Sequence, residues 1–199
     1  MGEAIKVLIV DDRASSYENM VKALSADHDV AVITNPQEAL FRAADEEFDL
    51  VINIQGDEPL LYPEQLDQII ELLKKDDIEI ATLCHPLRAE EHDNANIVKV
   101  AIDQHGVALG FSRDYQFITN VADDIYKHVG IYGFRSDVLS KVVTLKPSPN
   151  EVLEKLEQLR WLDHGYRIKV GITEFPNLSV DVPEDLNKIL AVLKKNPAN

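Results

Sequence analysis

Short apolar runs rich in β-branched residues alternate with segments of helical periodicity through the first 85 residues of the chain. This alternation is typical of β-α-β units, in which helices cover a largely parallel sheet. The first four strands are predicted at 5–10, 30–33, 50–54 and 78–83. The sequence therefore predicts an α/β fold with a parallel sheet at its centre.

Three helices are predicted between these strands, each with a recognisable start. Ser15 precedes Glu18 by three residues, which is the spacing of a capping box. Asn35 is followed directly by Pro36, and Pro63 opens a segment with apolar residues at helical spacing. The starts agree with the strand assignment, because each helix begins shortly after a predicted strand ends.

The pattern changes after residue 87. Segments 97–103 and 107–112 flank a Gln-His-Gly sequence and predict an antiparallel hairpin. The remaining predicted elements are a strand at 128–134, a helix opened by Ser148 with Val152, Leu156 and Leu159 on one face, a strand at 168–172 and a last helix from Pro183. We therefore expect residues 1–199 to form one compact, three-layer, Rossmann-like domain with a mixed sheet.

The charge of the chain limits its partners. It carries 35 acidic against 20 basic residues, a net charge of -15, so it lacks the basic surface that nucleic acid or an anionic membrane requires. Its start lacks the regions of a signal peptide, and cytoplasmic residence is expected. The single Cys84 is interpreted as a small buried hydrophobic residue rather than a catalytic one.

Acidic and polar residues follow the predicted strands where ligands of open α/β sheets bind. Asp11 and Asp12 come after the first strand, Gln55 and Asp57 after the third, and Asp181 before the last helix. If the aspartates converge, they should bind a hard divalent cation or raise one another's pKa by repulsion. Alternatively they point into water, or Asp181 caps the last helix.

Four longer motifs point to a family. They are VINIQGDEPLL at 51–61, IVKVAIDQHGVALGFSR at 97–113, KHVGIYGFR at 127–135 and SPNEVLEKLEQLRWLDHGYRIKVGITE at 148–174, followed by VDVPEDL at 180–186. From about residue 49 to 194 the chain resembles the 3-deoxy-manno-octulosonate cytidylyltransferases, which activate the acidic sugar 3-deoxy-manno-octulosonate (Kdo) with CTP.

The resemblance implies roles for particular residues. Asp57 and Asp181 would be magnesium ligands, which suits the chemistry because hard cations neutralise phosphate charge. The residues that would line the sugar-acid site are Gln55, His128, Tyr132, Glu157 and Gln158. Each also has a purely structural interpretation: His128 as a satisfied strand residue, and Glu157 and Gln158 as a solvated helix face. The resemblance also suggests a homodimer, and no residue is singled out as catalytic.

The start of the chain departs from that family. Such enzymes begin with a basic, glycine-containing loop of the pattern PAR…S.R.PGKPL that holds the CTP phosphates. Here VDDRASSYENM stands in its place, and Asp11 and Asp12 would repel a triphosphate. The sequence therefore predicts poor CTP binding.

Residues 5–52 instead resemble the receiver domains of response regulators. In that resemblance Asp11 and Asp12 form the magnesium site, but Ile54 occupies the place of the phosphorylated aspartate. We therefore hypothesise a recombined or designed chimera, in which a receiver-like segment at 1–52 replaces the nucleotide-binding start of a synthetase segment at 49–194.

Three functions follow from these patterns. The first is a chimeric scaffold that keeps the metal and sugar-acid half of a Kdo cytidylyltransferase but has little or no turnover. The second is an active CTP:Kdo cytidylyltransferase. The third is a receiver-like signalling module that cannot be phosphorylated, because Ile54 cannot accept a phosphoryl group.

Overall fold

The computed structural model describes residues 5–10, 21–22, 24–34, 42, 47–55, 58, 61–75 and 77–175. Its strands are β1 (Lys6–Val10), β2 (Asp29–Ile33), β3 (Leu50–Ile54), β4 (Ile80–Pro86), β5 (Lys99–Ile102), β6 (Ala108–Ser112), β7 (Ile125–Arg135) and β8 (Ile168–Ile172). Its helices are α1 (Pro63–Leu73), α2 (Tyr115–Ile118), α3 (Ser136–Val142), α4 (Pro149–Glu154) and α5 (Gln158–Asp163), with a 3-10 turn at Ala89–Glu91.

One mixed sheet joins these strands in the order β2-β1-β3-β7-β4-β8, and β5 pairs with both β6 and β7. β1 is parallel to β2 and β3, and β4 is parallel to β8. β7 runs antiparallel between β3 and β4. The predicted α/β class and mixed sheet are confirmed.

Both faces of the sheet are buried, as the apolar runs require. In β1, Val7 and Ile9 belong to a core cluster that includes Ile69 of α1. Leu8 and Val10 alternate with them and lie in a second cluster on the opposite face. Because successive residues of a strand point to opposite faces, a continuously apolar β1 indicates cover on both sides.

The start of α1 follows the sequence signal. Pro63 occupies the first turn, where its missing N–H leaves no helical bond unmade. The Gln65 side chain accepts a hydrogen bond from the Tyr62 backbone N–H at 3.0 Å, which satisfies one of the free donors at the helix start. The buried face of α1 packs on the sheet through Gln65, Leu66, Ile69, Ile70 and Leu73. The predicted start at Pro63 is confirmed.

The single helix predicted from Ser148 through Leu159 is wrong. Its start is confirmed, because Ser148 caps α4 by accepting a bond from the Glu151 N–H at 3.2 Å. Lys155 then adopts a left-handed conformation, with φ of 56°, and ends the helix. Val152 is 67% exposed rather than on a buried face. A second helix, α5, restores helical structure from residue 158 onward.

The other strands agree with the sequence in order and in part of their bounds. β5 and β6 form the predicted antiparallel hairpin, with Gly106 at φ of 67° in its turn. β4 begins at Ile80 and extends to Pro86, beyond the predicted 83. Cys84 is fully buried in β4, as predicted. The helix starts predicted at Ser15, Asn35 and Pro183 lie outside the described residues.

Candidate functional site

A cavity of about 220 Å³ opens beside β7. Its wall combines residues from β7, from the segment after β3, from the hairpin region and from the turn between α4 and α5. The lining residues are Gln55, Glu58, Asn96, Ile97, Val98, Arg113, Lys127, His128, Gly130, Tyr132, Lys155, Leu156, Glu157 and Gln158. All five sugar-site residues predicted from the sequence line this one cavity.

An irregularity in β7 shapes the cavity wall. Thr82 of β4 is opposite Tyr132, but the next residue of β4 is opposite Val129, so Gly130 and Ile131 have no partner in β4. The Gly130 N–H donates to the Glu58 side chain at 2.9 Å, and the Gly130 carbonyl accepts from the Gln55 N–H at 3.0 Å. The bulge therefore joins β7 to the segment after β3, as bulges near functional sites often do.

Little space is left for a side chain at position 130. A Cβ atom there would lie 3.0 Å from Glu58 Oε1 and 3.1 Å from Gln55 Oε1, closer than ordinary contact. Glu58 is only 4% exposed. The missing side chain thus allows two polar groups to approach the backbone of β7 and to form part of the cavity wall.

His128 lies in this wall as a neutral side chain. Its Nε2 is 2.9 Å from the Thr82 hydroxyl, and its ring meets the Phe111 ring edge-on at 5.3 Å. Burial lowers the pKa of His128 from 6.5 to about 3, because the charged imidazolium would lose its hydration. His128 is therefore uncharged at neutral pH and does not attract an anion by charge.

Tyr132 lies next to His128 on the same strand and is 1% exposed. Its ring packs edge-on against Trp161 at 4.9 Å. Burial, with a smaller contribution from the Glu157 carboxylate, raises the pKa of Tyr132 well above 10. Its hydroxyl has no hydrogen-bond partner among the described residues. A polar ligand in the cavity can supply this partner, because buried hydroxyl groups are rarely left unsatisfied.

Three basic side chains surround the cavity. The Arg113 Nη1 donates to the Asn96 carbonyl at 2.6 Å. Lys127 pairs with the Glu91 carboxylate, which lies outside the cavity lining, at 3.3 Å. Lys155 joins them from the left-handed turn after α4. Against these three cations the lining contains two carboxylates, Glu58 and Glu157. The lining thus offers charged and polar hydrogen-bonding groups of the kinds that bind a carboxylate and hydroxyl groups.

The turn between α4 and α5 places two further predicted residues. Gln158 begins α5 and is 4% exposed, so its interpretation as part of a solvated helix face is wrong. Glu157 is exposed and lies 3.7 Å from Arg160. Arg160 also donates from Nε to Glu151 at 2.8 Å, which links α5 to α4 and supports the turn.

Sequence analysis missed part of this lining. Arg113 and Lys127 stand inside the quoted motifs FSR and KHVG, so their signal was present but no role was assigned to them. Glu58 and Gly130 depend on the β7 bulge, and Lys155 on the early end of α4. These are features of backbone geometry that periodicity does not predict.

The predicted metal ligands cannot be placed. Asp11, Asp12, Asp57 and Asp181 all lie outside the described residues. Within the described part of the chain, no group of three or more His, Cys, Asp or Glu side chains is arranged to hold a metal ion. The described helices also include none long and apolar enough to cross a membrane.

The family model of the cytidylyltransferases matches residues 10–168. The chain belongs to the cytidylyltransferase family. A 3-deoxy-manno-octulosonate cytidylyltransferase from Parabacteroides distasonis is 36% identical over 197 residues, covering 88% of this chain and 77% of the relative. The enzyme of the same name from Thermodesulfovibrio yellowstonii is 44% identical over 150 residues, covering 71% of this chain and 59% of the relative. The chain thus spans less than two thirds of the latter.

Two solved structures of related enzymes have a similar fold. A CMP:2-keto-3-deoxy-manno-octonic acid synthetase complexed with CTP superposes with a TM-score of 0.73 at 31% identity, covering 98% of this chain and 82% of that chain. The inositol-1-phosphate CTP transferase from T. maritima, at 16% identity and a TM-score of 0.57, shares the fold. The fold is that of nucleotide-diphospho-sugar transferases.

These comparisons confirm the cytidylyltransferase resemblance and give no evidence for a receiver segment. The family match begins at residue 10, well before residue 49, where the predicted synthetase segment begins, and includes most of the segment compared with receivers. None of the matches described above is to a response regulator, so they give the chimera hypothesis no support. They give no support either to the prediction of poor CTP binding, because the similar synthetase was solved with CTP.

Proposed function

We propose that this chain is a nucleotidyltransferase that transfers CMP from CTP to an eight-carbon acidic sugar of the Kdo class. A hydroxyl oxygen of the sugar attacks the α-phosphorus of CTP, the bond to the β-phosphate breaks, pyrophosphate leaves and the hydroxyl proton passes to solvent. Family membership and the names of the relatives support the reaction class.

The cavity carries the proposal for the sugar substrate. Its three basic side chains, Arg113, Lys127 and Lys155, suit the carboxylate of a sugar acid. The free hydroxyl of Tyr132 and the buried amide of Gln158 suit the hydroxyl groups of a sugar. A neutral hexose has no carboxylate for these basic side chains to bind, and a nucleobase would find little apolar surface in this polar lining.

Magnesium belongs to the same proposal, with Asp57 and Asp181 as its ligands. Carboxylate oxygens are the donors that this cation prefers, and they fit it chemically. When bound, the cation neutralises charge on the triphosphate. Asp11 and Asp12 are further candidate ligands if they lie close enough to Asp57.

A second candidate function is sugar-acid binding with little turnover. The sequence VDDRASSYENM favours it, since two aspartates stand where the family places a basic phosphate-holding loop. In this case the cavity is complete and the nucleotide half of the reaction fails.

Two measurements on the full chain separate the candidates. Pyrophosphate release from CTP and Kdo in the presence of magnesium tests the transferase, and calorimetric titration with Kdo alone tests the cavity. Release that requires both substrates and magnesium supports the transferase; Kdo binding without release supports the second candidate; neither binding nor release contradicts both.

The role of the cavity cations is tested by Arg113→Met. We expect the KM for Kdo to rise roughly 30-fold, since a lost charged hydrogen bond is worth about 2 kcal/mol. Lys141→Met is a matched control, because Lys141 forms a solvent-exposed pair with Asp137 on α3, and it should leave the KM unchanged. Equal effects of both substitutions would show that Arg113 does not contact the sugar.

A further inference from the structure

We propose that Thr82 is a positioning residue that fixes His128 in the tautomer with its proton on Nε2, so that the ring presents an unprotonated Nδ1 to a hydroxyl group of the substrate. The inference concerns the ligand-free protein first, and its second half rests on the proposed function. Thr82 lies on β4, directly opposite the bulged part of β7, and is fully buried.

The Thr82 hydroxyl has a single proton to donate. Its oxygen lies 2.6 Å from the Ile131 carbonyl oxygen and 3.4 Å from the Val129 carbonyl oxygen. A carbonyl oxygen can only accept a hydrogen bond. If the hydroxyl proton pointed elsewhere, two oxygen lone pairs would face each other at 2.6 Å, which is strongly unfavourable. Thr82 must therefore donate to Ile131.

This donation determines the proton on His128. The Thr82 oxygen is also 2.9 Å from His128 Nε2, and its one proton is already used. The remaining contact is a hydrogen bond only if Nε2 carries the proton and donates it. The bulge in β7 causes this arrangement, because it leaves the Ile131 carbonyl without a β4 partner and Thr82 satisfies it.

The rest of the ring environment favours a neutral imidazole. The rings of Phe111 and Tyr132 both lie within about 5.3 Å of the imidazole, and burial lowers the pKa of His128 to about 3. A neutral ring with its proton on Nε2 has a lone pair on Nδ1. Among the described residues, no hydrogen-bond partner reaches that Nδ1, while His128 as a whole stays 9% exposed in the cavity wall.

The chemical consequence is a division of roles in the cavity. An unprotonated Nδ1 accepts a hydrogen bond and repels a carboxylate oxygen, so His128 receives a sugar hydroxyl group. The carboxylate of the substrate is left to the basic residues Arg113, Lys127 and Lys155. His128 then selects a hydroxyl at one position of the sugar rather than its acid group.

Nitrogen-15 spectra of the histidine rings test the proposal on the unmodified protein at neutral pH. We expect a pyridine-like resonance for His128 Nδ1 and a pyrrole-like, protonated resonance for Nε2. The reverse assignment, or a doubly protonated ring, would overturn it. His128→Gln identifies the signals by their loss from the spectrum.

Two substitutions of Thr82 then test what sets the tautomer. Thr82→Ser keeps the hydroxyl and should keep the wild-type spectrum, while Thr82→Val removes it and should give a mixture of both tautomers. We expect the KM for Kdo to rise roughly fivefold in Thr82→Val and to stay within about twofold in Thr82→Ser, as for one neutral hydrogen bond. A single unchanged tautomer in folded Thr82→Val would contradict the role of Thr82.

Kdo titration followed by the same spectra separates this inference from the proposed function. Movement of the Nδ1 resonance on Kdo binding, with Nε2 still protonated, supports the hydroxyl contact. Kdo binding with an unmoved Nδ1 resonance overturns that contact. Failure to bind Kdo or to release pyrophosphate overturns the proposed function. The tautomer of the free protein is tested separately by its nitrogen-15 spectrum.

Discussion

The two halves of β7 are both extended strand, but they have different surroundings. Residues 125–130, the site half, contain Lys127, His128 and Gly130 in the cavity wall. Residues 131–135, the core half, pair with β3 and β4 and are almost entirely buried, with Tyr132 as their one residue in the cavity wall. Each half has a glycine, but different neighbours require it. Gly130 makes room for polar side chains, and Gly133 makes room for the apolar face of α1.

The comparison shows that a glycine in a strand can serve either packing or a site, and that its neighbours decide which. A Cβ on Gly133 would lie 2.3 Å from Ile69 Cγ2 and 2.7 Å from Leu73 Cδ1, inside a close-packed core. Polar ends such as those near Gly130 can move aside, but packed branched side chains cannot move without disturbing the core. We therefore expect Gly133 to affect mainly stability and Gly130 to affect mainly substrate binding.

Gly133→Ala should have the largest effect. The added methyl group overpacks the contact between β7 and α1 and should lower the free energy of unfolding by about 3 kcal/mol. Denaturant unfolding measures this change, and any folded fraction should keep the wild-type KM. Gly110→Ala is the control, because its new Cβ would meet Ile118 and Val121 at an ordinary 3.7 Å. Equal losses of stability in both variants would contradict the packing argument.

Lowering the pH should destabilise the folded protein through the buried His128. The pKa of His128 is about 3 when folded and near 6.5 when unfolded, so the unfolded chain binds the extra proton between these values. Stability present above pH 6.5 is therefore lost as the pH falls toward 3. Between pH 7 and pH 5 the wild type should lose about 2 kcal/mol more than His128→Gln. Parallel curves for the two proteins would show that His128 can ionise in the folded state.

Gly130→Ala should change binding more than stability. A new Cβ would lie 3.0–3.1 Å from Glu58 and Gln55 atoms, a milder overlap than at Gly133, so the free energy of unfolding should fall by less than about 1 kcal/mol. Their displacement should raise the KM for Kdo roughly tenfold, or about 1.4 kcal/mol. Steady-state kinetics beside denaturant unfolding checks both values. A loss of stability as large as that of Gly133→Ala would remove the distinction between the two glycines.

Lys155→Asn should give the smallest effect. It removes the charge of the side chain while the backbone keeps its left-handed turn. Asparagine tolerates the left-handed conformation at this turn, so stability should stay within about 0.5 kcal/mol of the wild type. Loss of one partly solvated cation should raise the KM for Kdo roughly fivefold. Raised salt should reduce the difference between the variant and the wild type, whereas a salt-independent difference would indicate a change in shape.

The sequence predicted the parts of the fold that depend on local patterns. The strand at 50–54, the start of α1 at Pro63 and the hairpin around Gly106 each have a periodic or turn signal, and the structure has all three. The long helix after Ser148 was wrong because apolar spacing continued past Lys155, where the backbone turns left-handed. Periodicity indicates which side chains are apolar, but it does not predict the φ angle of a single residue.

The candidate site was predicted only where sequence motifs, and not backbone geometry, determine it. Motif resemblance brought Gln55, His128 and Tyr132 together, and they share the cavity. The Thr82–His128 contact could not be predicted, because it depends on a bulge that shifts the register of two strands distant in sequence.

The place of β7 in the sheet has a consequence for how the chain acquires its structure. β3 and β4 each pair with β7 and not with one another, and Leu50 is opposite Arg135. Contacts between residues so far apart in sequence form slowly, because a long loop must close first. During synthesis, the edge of β3 that later pairs with β7 therefore stays unpaired until residue 135 has left the ribosome. Folding of this family member should depend on protecting that edge from other chains in the interval.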